Sequence, residues 1–318
     1  MPCWLLALTR KPEMESGLVV ASHGRHVLVE TADGRRLICH PRGKKNTALV
    51  GDRIRWLATG DGGSIEKIEE RRNLLYRQDD VRSKSFAANL DQVLILVAAE
   101  PEFSDSQLTR ALIAAEAAHI APLIGLNKSD LSEPFVRAWE RLGPYRRMGY
   151  EVLPLALKPR LKPAESELDS LVEKLRHKIT LVLGPSGAGK STLVNLLVPG
   201  AQAVTGEISS ALNAGRHTTT STLLYWVDQS HRTALIDSPG FQEFGLRHIE
   251  PMQLPALMPD IQAHTGACRF YNCTHLHEPG CSVRAAVELG KVSQRRYELY
   301  GELFQELSQP SRHGGSTQ

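Results

Sequence analysis

The sequence predicts a multidomain α/β protein with an N-terminal all-β OB-fold barrel, a central doubly wound parallel sheet and a C-terminal metal-binding helical domain. Five short β-rich runs occur within about fifty residues, strands and helices alternate from residue 89, and cysteines and histidines cluster over 264–284. At about 150 residues per domain, the 318 residues correspond to roughly two domains, and three small domains would also fit. With 42% hydrophobic and 23% charged residues, the composition excludes a wholly disordered chain.

Changes in composition predict the domain boundaries. We expect an N-terminal extension at 1–16, the barrel at 17–75, the sheet domain at 76–245, the metal-binding domain with its C-terminal helix at 246–308, and a disordered tail at 309–318. The longest apolar run, Val93 to Ala99, has seven residues, far below the ~18 that span a bilayer. The apolar patch after Met1 is too short for a signal peptide. We therefore expect a cytoplasmic protein that contacts no membrane, and nothing indicates an oligomer.

The barrel prediction rests on turn signals between short strands. The predicted strands are Leu18–Val20, His26–Glu30, Arg36–Cys39, Arg53–Leu57 and Ser64–Ile68. Asp33-Gly34 suits a two-residue hairpin, and Gly60–Gly63 suits a loop. The OB-fold is the commonest five-stranded barrel, and another small β domain is the alternative.

The central region alternates apolar strands with helical stretches. The predicted strands are Val93–Ala99, Pro122–Leu126, Val152–Leu155, Ile179–Leu183 and Thr233–Ile236, and the predicted helices are Ser106–His119, Pro134–Met148, Ser166–His177 and Thr192–Val198. Continuously apolar strands are buried on both faces, which is typical of a doubly wound parallel sheet. A last amphipathic helix is predicted over 291–307.

A phosphate loop joins one of these strands to a helix. The run from Gly184 to Ser191 reads G-P-S-G-A-G-K-S and matches G-x-x-x-x-G-K-S in the strand–loop–helix context that the motif requires. Backbone N–H groups and the helix N-terminus then favour phosphate, a lysine neutralises it and a serine hydroxyl ligates Mg²⁺. The predicted phosphate-binding residues are Gly184, Pro185, Ser186, Gly187, Ala188, Gly189, Lys190, Ser191 and Thr192.

A base-reading motif precedes the phosphate loop by 57 residues. Asn127-Lys128-Ser129-Asp130 follows a strand and has the N-K-x-D form that reads guanine in GTPases. A carboxylate accepts from guanine N1–H and the 2-amino group, whereas adenine would leave it unpaired. Ala156 can offer a backbone N–H to guanine O6, Lys128 can lie over the base, and Asn127 can connect this loop to the phosphate loop. The reversed order indicates a circularly permuted P-loop GTPase domain, since joined domain termini tolerate permutation.

Two switch motifs follow the phosphate loop. Asp237-Ser238-Pro239-Gly240 has the D-x-x-G form, in which the aspartate holds Mg²⁺ through water and the glycine N–H senses the γ-phosphate. The run 215–220 contains three threonines, and we favour Thr219 as a magnesium ligand. The predicted magnesium set is Ser191, Thr219 and Asp237.

The position that orients the attacking water is unusual. Phe241 follows the D-x-x-G motif where many GTPases have glutamine. His217 is the nearest candidate for a catalytic residue, and Gln242 is a weaker one. Hydrolysis therefore uses another group or is slow without a partner.

The C-terminal cysteines predict one structural zinc site. Cys268, Cys273, His275 and Cys281 form a Cys₃His set with no open position. Such a cluster in a reducing compartment indicates a metal rather than disulfides. His277 or His264 can replace His275 in this assignment.

The first ninety residues are the basic part of the chain. They carry 16 basic and 11 acidic residues, although the whole chain is only +3. Five basic residues in or beside the barrel suit an RNA backbone: Arg35, Arg36, Arg42, Lys44 and Lys45. Arg295 and Arg296 form a weaker second candidate, for which a packing helix is the alternative.

The motif order, the threonine switch and the C-x4-C-x-H-x5-C spacing together resemble the RsgA (YjeQ) family of circularly permuted GTPases, from about residue 17 to 307. The resemblance implies binding to the 30S ribosomal subunit and its 16S rRNA, GTP hydrolysis stimulated by that subunit, and release late in its maturation. It also implies zinc at the Cys₃His set and Mg²⁺ with GTP or GDP at the nucleotide site. Leu155-Ala156-Leu157 departs from the family's S-A-K base loop.

Three other functions fit part of the pattern. A P-loop phosphotransferase acting on a small metabolite would prefer ATP. A non-catalytic RNA-binding module would use the nucleotide only for structure. A GTPase with another RNA target would carry the same basic barrel.

Overall fold

The computed structural model describes residues 14–23, 26–42, 47–60, 62–80, 83–157, 165–201, 222–239 and 244–310. Several predicted features lie outside these ranges. They are most of the N-terminal extension, Lys44, Lys45, the threonine run with His217 and Thr219, the segment 240–243 with Gly240, Phe241 and Gln242, and the tail from residue 311.

The N-terminal strands close into a barrel. They are β1 (Glu15–His23), β2 (His26–Thr31), β3 (Arg36–Pro41), β4 (Arg53–Thr59) and β5 (Gly62–Ile68). Their order is β1-β2-β3-β5-β4, β3 pairs with β5 in parallel, and β1 also pairs with β4 to close the sheet. Alternate residues such as Val19, Val27 and Ile54 fill the interior because successive strand side chains point to opposite faces. The OB-like barrel prediction is confirmed.

A short ribbon follows the barrel. It consists of β6 (Leu74–Gln78) and β7 (Ser83–Ala88), which pair only with each other in the described sheets. Phe86 on this ribbon stacks on Phe244, with ring centroids 5.7 Å apart. These two strands were not predicted from the sequence.

The central sheet has the predicted parallel architecture. Its strands are β8 (Gln92–Ala98), β9 (Ala121–Asn127), β10 (Glu151–Leu155), β11 (Ile179–Leu183), β12 (Thr222–Trp226) and β13 (Ala234–Asp237), and its helices are α1 (Asp105–Ala117), α2 (Ser132–Arg141), α3 (Gly143–Arg147), α4 (Glu165–Leu175) and α5 (Lys190–Leu197). The order is β10-β9-β8-β11-β13-β12, and only β12 is antiparallel to its neighbour β13. Since β8 is buried at every residue, its continuous apolar run is explained.

The prediction of one continuous helix over 134–148 is wrong. The stretch 134–148 is two helices, α2 and α3, with Leu142 between them. Pro144 stands in the first turn of α3, because proline lacks the N–H that a helix interior needs and is tolerated at a helix start.

A strand of the barrel pairs with a strand of the central sheet. β1 pairs with β12 through Ala21 opposite Leu223 and Ser22 opposite Thr222, so that eleven strands form one sheet. At this junction Trp226 donates its indole N–H to the buried Glu30 carboxylate at 2.6 Å, and Arg36 pairs with the same carboxylate at 2.8 Å. The barrel is therefore held directly on the strand beside β13.

The C-terminal region packs small helices against α1. Its elements are 3₁₀ turns at Pro251–Leu257 and Thr265–Ala267 and the helices α6 (Pro259–Gln262), α7 (Ser282–Glu288) and α8 (Gln294–Ser308). Arg296 on α8 is buried, pairs with Asp260 through two nitrogens and donates to Thr109 on α1 at 2.7 Å. Arg296 is thus a packing residue, as expected if this helix packs against the rest of the protein. Its side chain does not belong to an exposed basic surface.

Among the residues that the structure describes, no helix is long and apolar enough to cross a membrane.

Candidate nucleotide site and metal cluster

The carboxyl ends of the parallel strands bring the predicted nucleotide motifs to one edge of the sheet. Asn127 ends β9, Gly184 follows β11 and Asp237 ends β13. In open α/β sheets this edge is where ligands bind. Two adjoining cavities of about 400 and 340 Å³ share Gly187, Gly189 and Thr192 in their walls.

The phosphate loop has the strand–loop–helix form that its sequence requires. Lys190, the first residue of α5, is buried and donates from Nζ to the carbonyls of Gly184 at 2.8 Å and Pro185 at 2.9 Å. Burial lowers the pKa of Lys190, and the nearby Asp237 carboxylate opposes that shift. The lysine therefore lies at the base of the loop, where the negative charge of a phosphate would compensate the positive charge of its buried ammonium group.

Gly189 is required by a close approach. Its φ is +108°, and an added Cβ would lie 2.4 Å from Nδ2 of Asn127. Asn127 uses that nitrogen to donate to the Ala188 carbonyl at 2.9 Å. This is the connection between the base-reading and phosphate loops that the sequence predicts.

Asn127 also organises the base loop. Its Oδ1 accepts from the Lys128 N–H at 2.8 Å and from the Leu157 N–H at 3.2 Å. Lys128 has a φ of +69°, and its ammonium contacts the Glu100 carbonyl. Glu100, Lys128 and Asp130 line the larger of the two cavities.

The Leu155 departure from S-A-K has a packing reason. Leu155 is buried in β10, and its side chain occupies the space above Gly125. Its carbonyl accepts from the Ser129 N–H at 3.0 Å, so the backbone connects the two loops. Glu167 on α4, which no sequence motif indicates, accepts from the Ser129 hydroxyl at 2.9 Å through its carboxylate. Glu167 lies 38 residues from Ser129, and no local pattern marks that contact.

The carboxylate of Asp237 lies where it could bind a cation. One oxygen of its carboxylate is buried without a hydrogen-bond partner in the described ranges, and Ser191 lines the same cavity. Burial raises the pKa of Asp237, and Lys190 opposes the rise. Ser238 fixes the start of the motif by donating to the Val182 carbonyl at 2.8 Å. An orphaned carboxylate beside a hydroxyl fits Mg²⁺, which prefers oxygen ligands.

The Cys₃His set converges at one point. The ligand atoms of Cys268, Cys273, His275 and Cys281 all lie within 4.8 Å of one another, so neither His264 nor His277 belongs to the cluster. Nδ1 of His275 lies 3.4 Å from Sγ of Cys268 and 3.6 Å from Sγ of Cys281. Tetrahedral zinc with Zn–S of about 2.3 Å and Zn–N of about 2.0 Å requires about 3.5 Å between such atoms.

The chemistry of the set also fits a metal. Burial lowers the pKa of His275, which keeps the imidazole in its neutral, ligating form. The Ser282 hydroxyl lies 3.1 Å from Sγ of Cys268, and Tyr297 donates to the His275 carbonyl at 2.8 Å. The cluster could therefore hold one metal ion.

The predicted basic residues of the barrel have acidic neighbours. Arg35 pairs with Asp33 at 2.6 Å, Arg36 pairs with Glu30, and Arg42 pairs with Glu66. The sequence showed no acid within the basic run, and the partners come from the turn and neighbouring strands. Any phosphate at these arginines would compete with a carboxylate.

The fold and these loops define a P-loop GTPase of circularly permuted motif order, attached to an OB-like barrel and a Cys₃His segment. The family model described as RsgA GTPase matches residues 68–247. The chain belongs to this RsgA GTPase family, and it is a GTP hydrolase.

Relatives and solved structures agree over nearly the whole chain. A protein of Variovorax paradoxus named small ribosomal subunit biogenesis GTPase RsgA is 67% identical over 93% of each chain, and one of Paraburkholderia phytofirmans with the same name is 51% identical over 92% of this chain and 93% of its own. The crystal structure of YloQ, a circularly permuted GTPase, covers 95% of this chain and 98% of its own at 28% identity and a TM-score of 0.69. That of YjeQ from Thermotoga maritima covers 94% and 100% at 29% identity and a TM-score of 0.70.

Proposed function

We propose that this protein binds the small (30S) ribosomal subunit through its 16S rRNA, hydrolyses GTP faster on that subunit than alone, and leaves it after hydrolysis late in maturation. The names of its relatives, small ribosomal subunit biogenesis GTPase, support the partner. We also propose that the protein acts as a monomer in the cytoplasm, where ribosomes mature.

One observation carries the GTP part of the proposal. The Asn127–Ala188 hydrogen bond holds the base-reading loop at a fixed distance from the phosphate loop, so one ligand can reach both. Asp130 in the same cavity would accept from guanine N1–H and the 2-amino group, with Ser129 holding the loop and Ala156 donating to O6. The phosphate-loop residues from Gly184 to Thr192 would enclose the phosphates.

The residues around Asp237 would prepare the hydrolysis. Ser191, Thr219 and Asp237 would hold Mg²⁺, which neutralises the developing charge on the phosphates when it is bound. His217 would orient water toward the γ-phosphorus, while the Gly240 N–H would contact the γ-phosphate. Attack of water there breaks the bond to the β-phosphate oxygen and yields GDP and inorganic phosphate. Cys268, Cys273, His275 and Cys281 would hold a structural Zn²⁺ away from this chemistry.

The residues that follow the second switch motif contact other parts of the protein, and these contacts could couple hydrolysis to release from the subunit. The Gly245 carbonyl accepts from Gln78 on β6 at 3.0 Å, and Arg247 donates to the Gln78 carbonyl at 2.9 Å. Arg247 also donates to the carbonyls of Glu306 and Gln309 at the end of α8. A change at Asp237–Gly240 on loss of the γ-phosphate would therefore reach both the ribbon and the C-terminal region.

Binding to rRNA would use basic residues of the barrel. Arg35, Arg36, Arg42, Lys44 and Lys45 are the proposed contacts to phosphates, where each arginine would exchange its carboxylate for the nucleic acid.

Affinity for the subunit in two nucleotide states tests the proposal. Purified 30S subunits should bind the protein more tightly with a non-hydrolysable GTP analogue than with GDP, and 50S subunits should bind it weakly in both states. Equal affinity for 30S in the two states would contradict release by hydrolysis. Failure to bind 30S in either state would contradict the partner.

A further inference from the structure

Two aromatic side chains on the Cys₃His segment face solvent. Tyr271 is 103% exposed and Phe270 is 40% exposed, and both lie between Cys268 and Cys273. They are the two aromatic residues among the exposed large hydrophobic side chains of the described chain. By contrast, Tyr297 and Tyr300 nearby donate to the backbone carbonyls of His275 and Thr274.

The loop that presents these rings is held at both ends. The thiols of Cys268 and Cys273 belong to the Cys₃His cluster. The Arg269 N–H donates to the Gly280 carbonyl at 3.1 Å, and the Cys273 N–H donates to the Phe270 carbonyl at 3.3 Å. A ring on a preorganised loop loses little conformational entropy when it binds.

The surroundings of the rings are polar and basic. The Arg269 guanidinium lies 5.5 Å from the centre of the Phe270 ring and is exposed, and Asn272 is also exposed. Arg284 donates to the His277 carbonyl at 3.4 Å and is half-buried. The acid of this stretch, Glu278, accepts from Thr274 and His277. The arginines are thus available to an anionic partner.

We propose that the Arg269–Asn272 loop is a stacking platform for an unpaired base of RNA, with the Tyr271 ring against the base and Arg269 at the neighbouring phosphate. Every base has a π-face, and an aromatic ring beside arginine is the arrangement that single-stranded nucleic acid favours. Tyrosine and arginine are also common anchors of protein interfaces, so a ribosomal protein is the other partner that crosslinking distinguishes. This inference rests on the proposed function, since it names how the C-terminal region contacts rRNA.

Binding to intact 30S subunits with a non-hydrolysable GTP analogue tests the platform. Tyr271→Ala should weaken binding about 5- to 150-fold, since base–aromatic stacking contributes about 1–3 kcal/mol per base. Tyr271→Phe should bind like the wild type because it keeps the ring. Leu289→Ala, which removes another exposed apolar side chain of the same region, is the matched control and should also bind normally. Metal content and thermal midpoint show that each variant is folded.

Crosslinking identifies the partner of the ring. The photoreactive p-azidophenylalanine in place of Tyr271 should crosslink to an unpaired rRNA nucleotide in the bound subunit. Equal affinity of Tyr271→Ala and wild type, or a crosslink to a ribosomal protein or a paired strand, would overturn the inference. Those results would leave the proposed function standing, because the wild type would still bind 30S; a wild type that does not bind 30S contradicts the proposed function itself.

Discussion

The single residue Asn127 connects the base-reading loop to the phosphate loop. Its amide nitrogen reaches the phosphate loop, and its oxygen accepts from Lys128 and Leu157 in the base-reading region. A buried side chain with all three contacts leaves the loops little freedom to separate. In the proposed function, Asp130, three residues further along, recognises the base.

Asp130→Asn should exchange the base preference. The amide keeps one acceptor for N1–H and places a donor against the guanine 2-amino group, while the 2-oxo group of xanthine can accept from that donor. We expect GTP affinity to fall about 100-fold and XTP to bind better than GTP. Titration of wild type and variant with GTP, XTP and ATP measures this. Unchanged GTP affinity would show that Asp130 does not read the base.

His248 should make stability depend on pH. Its ring packs on Tyr76, with centroids 4.2 Å apart, its Nδ1 is buried without a hydrogen-bond partner among the described residues, and burial lowers the pKa of His248. As pH falls below the unfolded-state pKa of about 6.5, the unfolded chain takes up the proton first, and the folded state loses stability.

His248→Phe should therefore lose less stability than the wild type between pH 7 and pH 5. Denaturant unfolding at several pH values measures the difference between the two proteins, so that titration elsewhere cancels. Parallel pH profiles would contradict this account.

Among the structural elements, the C-terminal segment that carries the Cys₃His cluster has little secondary structure of its own. The stretch between the 3₁₀ turn at Thr265–Ala267 and α7 contains no described helix or strand. We expect the cluster to hold its shape when a metal is bound. Metal binding to such a set is coupled to folding.

Cys281→Ser should remove about one zinc ion per chain and lower the thermal midpoint by about 5–10 °C. Each kcal/mol lost shifts the midpoint of a chain of this size by about 2–4 °C. Cys39→Ala is the control, because Cys39 is a buried barrel thiol outside the cluster and its loss should leave zinc content unchanged. Full zinc content in Cys281→Ser would remove that residue from the ligand set.

The elements show what local sequence can predict. The barrel strands, the parallel strands and the phosphate loop follow from periodicity and turn residues, which are local. The break at Pro144 was also readable, because proline favours a helix start. The β6–β7 ribbon was not, since its short strands are stabilised by distant groups such as Phe244 on Phe86. The Glu167 contact and the Glu66 partner of Arg42 likewise come from residues remote in sequence, whereas the Asp33 partner of Arg35 lies in the adjacent turn.

The whole molecule is joined through β1 and β12. Pairing of these strands makes the barrel continuous with the GTPase sheet, and no local pattern predicts it. Glu30, 6% exposed, receives the Trp226 indole and pairs with Arg36, and His231 stacks on Trp226 with centroids 4.7 Å apart. This junction lies beside β13, which carries Asp237.

Trp226→Phe should cost about 1.5–3 kcal/mol of unfolding free energy, the usual contribution of a hydrogen bond to a charged group. In the presence of Glu30→Gln the same substitution should cost less, because the two residues act through one contact. Denaturant unfolding of the two single variants and the double variant measures the coupling. Additive effects would show that the contact does not join the domains energetically.

GTP turnover with and without small subunits tests the central claim, a GTPase that a ribosomal subunit activates. We expect slow turnover by the protein alone, strong stimulation by purified 30S subunits, and no comparable effect of 50S subunits or of ATP in place of GTP. His217→Ala should then reduce the stimulated rate. Turnover that is the same with and without 30S would contradict the account and move the search to another RNA or a small molecule.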